Sequence, residues 1–229
     1  MSGDWRVPPP PRPFVDVAGG GRFPVRRIYC VGRNYAAHAR EMGGDPDREP
    51  PFFFTKPADA VTHAAVVPYP PRTADLHHEV ELVAAIGRGG RDIPVASALD
   101  HVFGYAVGVD LTRRDLQAAA KKAGRPWDVA KGFDASAPVS PLRAVAGGAH
   151  PATGRIELAV NGETRQTGDL ADLIWSVAEV VAELSTLFRL EPGDLVFTGT
   201  PEGVGALRRG DAVHGRIEGV GELRFTVSE

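Results

Sequence analysis

The stretch Asp75-Leu76-His77-His78-Glu79-Val80-Glu81-Leu82-Val83-Ala84-Ala85-Ile86 decides the fold. From Glu79 onward it alternates: Val80, Leu82, Ala84 and Ile86 fall on one face of an extended chain, Glu79 and Glu81 on the other. The apolar set predicts a strand packed on a core. The two acids, two strand rises apart, have Cα atoms about 6.5 Å from each other. Two readings stand side by side. On a solvated face the acids are ordinary surface residues of an amphipathic strand. In a dry place they repel and raise each other's pKa unless a cation neutralises them, and a divalent metal is then the occupant.

Bulk properties narrow the classes. A length of 229 residues suits one domain with a small N-terminal appendage, and 43% hydrophobic with 24% charged residues is the composition of a folded soluble protein. A net charge of −3 gives no reason to expect a nucleic-acid or membrane-surface partner. No apolar run reaches the roughly 18 residues of a membrane span. The start, Met-Ser-Gly-Asp-Trp-Arg and then prolines, lacks the basic-then-apolar order of a secretory signal. One cysteine, Cys30, allows no internal disulfide and reads as a packed small hydrophobe. The expected location is cytoplasmic. With 27 glycines and 20 prolines, long helices must be few, so the expectation is mainly β: many short strands joined by turns, with two or three helices.

Working outward from the central stretch, residues 1–24 read as a Pro/Gly-rich arm, with an edge strand at Phe14–Val17 and no visible core. Val25–Val31 reads as a buried strand, and Tyr35–Met42 as a short helix capped by Asn34. Within that helix His38 and Glu41 share a face; they are either an exposed pair or a base oriented by a carboxylate. Three aromatics, Phe52 to Phe54, predict a strand buried on both faces, ending at Lys56. Phe103–Val109 is an apolar strand that delivers Asp110 to its end, a typical position for a site residue. Thr112 and Asp115 read as a capping box for a helix over 113–123, which leaves Asp110 without a structural task. Lys131, between Ala130 and Gly132-Phe133, reads as partly buried and in need of an anion. Asn161-Gly162 predicts a hairpin between 156–160 and 163–167. One long amphipathic helix is expected within 169–190, on the stripe Ile174, Val177, Val181, Leu184 and Phe188. Leu195–Thr198 reads as a buried strand, followed by a glycine-rich loop whose backbone N–H groups and Thr200 hydroxyl can meet a carboxylate.

Together and in order, Tyr29-Cys30-Val31-Gly32-Arg33-Asn34-Tyr35, the His38–Glu41 helix, Phe54–Pro57, His77–Glu81, Asp110 with Thr112-Arg113-Arg114-Asp115, Lys131-Gly132-Phe133 and Thr198-Gly199-Thr200-Pro201 resemble the fumarylacetoacetate hydrolase superfamily over residues 25–229. The runs Phe23–Met42 and Asp45–Phe54 look most like its short fumarylpyruvate-cleaving branch and the related acylpyruvases. The resemblance implies a mixed β-sandwich roll, a homodimer, and Mg²⁺ or Mn²⁺ held by Glu79, Glu81 and Asp110. It implies a lid helix carrying His38 and Glu41 as a catalytic dyad. With an all-carboxylate cation site, His77 and His78 are not needed as ligands; His77, on the acids' face, is left as an outer contact.

The implied reaction is carbon–carbon hydrolysis of a 2,4-dioxo acid, most simply fumarylpyruvate to fumarate and pyruvate in gentisate-type aromatic degradation. Lys131, Gly199 and Thr200 would neutralise the substrate's keto-acid end, and Arg33, Arg114 and Gln117 are the candidates for its far carboxylate. Acylpyruvate cleavage and oxaloacetate decarboxylation are the alternatives within the family; a non-catalytic metal- and keto-acid-binding protein is the alternative of another class.

Overall fold

The computed structural model describes residues 5–41, 49–145 and 149–229, with the side chains of Ala39 and Glu41 outside that set. Its centre is a six-stranded mixed sheet ordered Arg143–Ala144, Val102–Val109, Val80–Ile86, Asp194–Phe197, Arg27–Gly32, Phe52–Lys56. A five-stranded sheet, Glu163–Asp169, Arg155–Val160, Ala212–Ile217, Gly221–Val227 and Val66–Val67, covers one face of it. Between them lies the larger core, which the helix Val177–Leu187 closes. The mainly-β expectation holds.

The strand Val80–Ile86 is buried at every residue, because the central sheet has apolar material on both sides. Val80, Leu82, Ala84 and Ile86 enter the larger core; Val83 and Ala85 enter a second core with Val15, Phe23, Ile28 and Leu142. Truncating Leu82 to Ala should cost about 2–5 kcal/mol. The second core recruits the N-terminal segment. Phe14–Asp16 pairs with Arg22–Pro24, and Val15 and Phe23 are its buried contribution. The sequence showed no core there because two apolar residues count only against the sheet they cover.

Several elements differ from their sequence expectation. The stretch 75–86 is two strands, not one. Leu76–His78 pairs with Thr112–Arg113 and Gly205–Leu207 in a small three-stranded sheet, whereas Val80–Ile86 pairs with Val102–Val109 in the large one. Glu79 sits at the handover, and its carbonyl accepts the Asp110 N–H at 2.8 Å. The expected long helix is interrupted: Leu170–Asp172 is a short 3₁₀ turn, and a capping box between Ser176 and Glu179 starts the helix only at Val177.

Thr112 does not cap the helix Arg114–Lys122; Asp115 instead accepts from Thr73 and Ala74. Asn34 does not cap the helix Ala36–Glu41 either. Its amide bridges Trp175 and the Thr198 carbonyl, tying that helix's entry to the chain beyond the central strand. The expected helix stop at Met42–Gly44 lies outside the described residues. Phe52–Lys56 is an edge strand with Phe52 exposed, not a strand buried on both faces. The hairpin at Asn161-Gly162 is present, with φ of 53° and 81° at the turn.

Candidate active site

Where the paired chains 76–86 and 102–113 pass from the large sheet to the small one, three acids converge. Glu79, Glu81 and Asp110 place carboxylate oxygens within 4.8 Å of one another, all buried. This dry grouping displaces the solvated-face reading of the strand.

Cations surround the trio. Lys131, delivered by the short helix Asp128–Lys131, puts Nζ 2.8 Å from Glu79 Oε2 and 2.7 Å from Asp110 Oδ2. Arg114 Nη2 lies 2.5 Å from Glu79 Oε1, and the Thr112 hydroxyl donates to the same oxygen at 3.2 Å. Lys56 Nζ is 2.8 Å from Asp110 Oδ1 and also donates to the carbonyls of Leu111 and Lys131. Glu81 accepts the Gly199 N–H at 2.7 Å. Gly199 has φ +100°, and a Cβ there would meet Asn34 at 2.7 Å, so only glycine presents its amide to Glu81 this way.

The charges are unevenly balanced. Burial opposes ionisation of Glu79, but Lys131 and Arg114 outweigh it and hold the carboxyl below its usual range. For Glu81, burial, then Asp110, then Glu79 all push the carboxyl well above that range. Burial lowers Lys131, and Asp110 with Glu79 more than offsets it, so its ammonium is favoured. Asp110 Oδ1 is buried with Lys56 near it but off line, leaving lone pairs without a hydrogen bond. Three convergent carboxylates, one of them an acid that burial and its like-charged neighbours drive toward protonation, fit a hard divalent cation.

Glu79 and Glu81 line a cavity of about 30 Å³ together with Arg33, His38, Phe52, Arg114, Gln117, Lys121, Trp127, Lys131 and Thr200, and Asp110 keeps a carboxylate oxygen within 4.8 Å of theirs. Larger hollows exist, such as one of about 460 Å³ beside Tyr105 and His150, but Glu79 and Glu81 lie in the small one. His38 is 6% exposed, and its charge is among those that Glu79 senses. Glu41 closes the His38 helix; its side chain, and with it the expected dyad, lies outside the described residues.

Gln117 is buried and accepts from Arg114 Nη1 at 2.6 Å. Arg33 is exposed at the rim with φ 58°. Thr200 Oγ1 accepts from Gln166 Nε2 at 2.8 Å, while Gln166 Oε1 meets His78 Nδ1 at 2.9 Å. His78 thus belongs to a neutral network beside the acids. His77 touches Asp75 at 2.8 Å and receives the Arg114 Nε–H at 3.3 Å, one contact removed from Glu79. Gly199, expected to offer its amide to a ligand, gives it to Glu81 instead.

Sequence reasoning missed Lys56 and Thr112 as contacts of the acids. Lys56 carries no local signal: its partners Asp110, Leu111 and Lys131 all lie at least 54 residues away. Thr112 carries a misleading one, since Thr-x-x-Asp fits a capping box that is not formed.

The fumarylacetoacetate (FAA) hydrolase C-terminal family model matches residues 27–228. The fumarylpyruvate hydrolase of Ralstonia sp. is 46% identical over 189 residues, 81% of this chain and 98% of that one. A mitochondrial oxaloacetate tautomerase of Arabidopsis thaliana is 42% identical, covering 88% of this chain and 90% of its own. The crystal structure of fumarylpyruvate hydrolase from Pseudomonas aeruginosa in complex with Mn²⁺ and pyruvate superposes with TM-score 0.96 at 55% identity, over 98% of this chain and 99% of that one. The chain belongs to the fumarylacetoacetate hydrolase family.

Proposed function

We propose that this protein is a metal-dependent hydrolase that cleaves the carbon–carbon bond of a 2,4-dioxo acid, with fumarylpyruvate as the substrate and fumarate and pyruvate as products. The carrying observation is the buried trio Glu79, Glu81 and Asp110, two of whose members, Glu79 and Glu81, line one cavity with Lys131 and His38. The likeness to fumarylpyruvate hydrolases, one of them holding Mn²⁺ and pyruvate, supports the substrate class and the cation.

Glu79, Glu81 and Asp110 are the ligands we assign to Mg²⁺ or Mn²⁺; bound there, the cation supplies Lewis-acid polarisation to the substrate's 2-keto-acid oxygens. Lys131 adds a fixed positive charge beside that end and stabilises the enolate that leaves. His38, on the opposite wall, takes a proton from water as the water oxygen bonds to the distal carbonyl carbon. The bond from that carbon to the central methylene then breaks. Its electron pair passes to the pyruvate enolate, which takes up a proton to give pyruvate, and the attacked carbon becomes a carboxylate. Glu41 is assigned to orient His38. Arg114 holds Glu79 in place, and Gln117 accepts from Arg114 and orients it.

The cavity as it stands is far smaller than a dioxo acid, so loading requires the Ala36–Glu41 wall to swing out. The catalytic unit is placed at 25–229 and the arm at 1–24, of which the paired strands Phe14–Asp16 and Arg22–Pro24 pack on that unit. A homodimer, a cytoplasmic location and a role in aromatic catabolism belong to the same proposal. Among the described residues no helix is long and apolar enough to cross a membrane.

The test is loss of the conjugated-dione absorbance with fumarylpyruvate, with fumarate and pyruvate identified as products; turnover without fumarate release sinks the reading. The tautomerase relatives favour one second reading, keto–enol exchange of oxaloacetate at the same acids. It needs no attacking water, and decay of the oxaloacetate enol signal faster than any dione cleavage would select it.

A further inference from the structure

Four basic side chains line the cavity: Lys131, Arg114, Arg33 and Lys121. The first two are committed to Glu79 and Asp110. The other two meet no carboxylate among the described residues and rest on aromatic rings instead. Arg33 stands 6.0 Å from the centre of Phe52, and Lys121 stands 5.1 Å from the centre of Trp127. The two rings touch edge to face at 5.6 Å, so cations and rings form one continuous rim. Gly32 permits this: a Cβ there would occupy the Phe52 ring.

The helix Arg114–Lys122 sets the spacing. Arg114, Gln117 and Lys121 are three and then four residues apart, so they share one face. Arg114 touches the acids, and Lys121 lies two turns on, about 10 Å further along the axis. Burial and then the charges of Arg114 and Arg33 lower the pKa of Lys121, and Glu79, the acid whose charge reaches it, is already held by Arg114 and Lys131. Purely structural ring contacts would be served as well by neutral residues, without the cost of convergent cations.

We propose that Lys121 and Arg33, mounted on Trp127 and Phe52, bind the distal carboxylate of a dioxo dicarboxylic acid whose keto-acid end lies at Glu79, Glu81 and Asp110. This subsite rests on the proposed function and sharpens it. It selects dianionic substrates over acylpyruvates that end in a methyl group. The binding energy it supplies is spent at the end of the molecule that does not react, so its loss falls chiefly on KM.

Steady-state cleavage of fumarylpyruvate and of acetylpyruvate, by the metal-loaded wild type and by Lys121→Met, Lys121→Arg and Arg33→Met, tests it. Lys121→Met and Arg33→Met should each lower kcat/KM for fumarylpyruvate about tenfold to a hundredfold and alter acetylpyruvate by at most about threefold, the loss expected for a charge-assisted hydrogen bond. Lys121→Arg should recover most of the fumarylpyruvate rate. Equal losses on both substrates, or none on fumarylpyruvate, overturn the subsite while leaving the hydrolase intact. A wild type that cleaves neither dioxo acid overturns the hydrolase reading, and the subsite with it.

Discussion

Asp194 and Glu81 are buried carboxylates on neighbouring strands of the central sheet. Asp194 opens Asp194–Phe197, and the Gly199 amide just beyond that strand binds Glu81. Burial pushes both carboxyls up. Their company differs. Asp194 has Arg26 Nη1 at 2.9 and 3.0 Å from its two oxygens and takes the Glu191 N–H at 2.9 Å. Glu81 has one amide and two further acids within 4.8 Å. The first is a closed ion pair that ties the start of the strand to Arg26. In the second, Lys131, Arg114 and Lys56 are drawn to Glu79 and Asp110, and Glu81 meets no cation of its own among the described residues. Burial alone therefore does not mark a cation site in this fold; converging buried acids, one of them without a cation of its own, do.

The comparison can be broken from either end. The largest effect should come from Glu81→Gln or Asp110→Asn, which remove a ligand. Mn²⁺ binding, read from the free-ion electron paramagnetic resonance signal, should vanish, and turnover should fall by more than about 10³-fold. Metal-free Glu81→Gln should melt no lower than wild type, because a crowded acid has been removed. Next, His38→Ala should lower kcat by about 10²–10⁴-fold with Mn²⁺ binding intact. If it loses the metal, the division between acids and base is wrong.

Lys131→Met leaves Glu79 and Asp110 short of a cation. The metal-free protein should lose about 3–5 kcal/mol in a denaturant melt and regain part of it with Mn²⁺. The smallest effect belongs to the closed pair. Asp194→Asn should cost about 1–2 kcal/mol, since Arg26 is partly exposed and turns to water. Its kcat and Mn²⁺ affinity should be those of wild type, and loss of either would erase the distinction drawn between the two carboxylates.

The trio also gives a pH dependence. The metal-free Glu81 carboxyl is raised, so it keeps its proton at a pH where an ordinary Glu has lost it. In the metal-free protein this group's contribution to stability is present at low pH and lost as pH rises through its raised range. A cation must displace that proton, so Mn²⁺ affinity should weaken as pH falls, with proton release visible by calorimetry in buffers of different ionisation enthalpy.

Much of this was legible in the chain. Period-two alternation exposed Glu79 and Glu81, the end of an apolar strand exposed Asp110, and small apolar neighbours exposed Lys131. These signals are local and survive without knowing the fold. What escaped is set by distant pairing. The handover at Glu79 depends on Thr112 meeting His77 across the small sheet. Asn34 looks like a cap until Trp175 and Thr198 are brought to it. Lys56 ends an aromatic strand and shows its task only when Asp110 and the Lys131 carbonyl arrive. Ser176 and Glu179 carried a readable capping box, hidden by an apolar stripe that ran through it.

The most direct measurement of the central claim is fumarylpyruvate cleavage after exhaustive chelation and Mn²⁺ return, in wild type and Glu81→Gln. The account predicts that chelation abolishes wild-type activity, that Mn²⁺ restores it, and that Glu81→Gln stays inactive with Mn²⁺ present. Wild-type cleavage at an undiminished rate after chelation would contradict it.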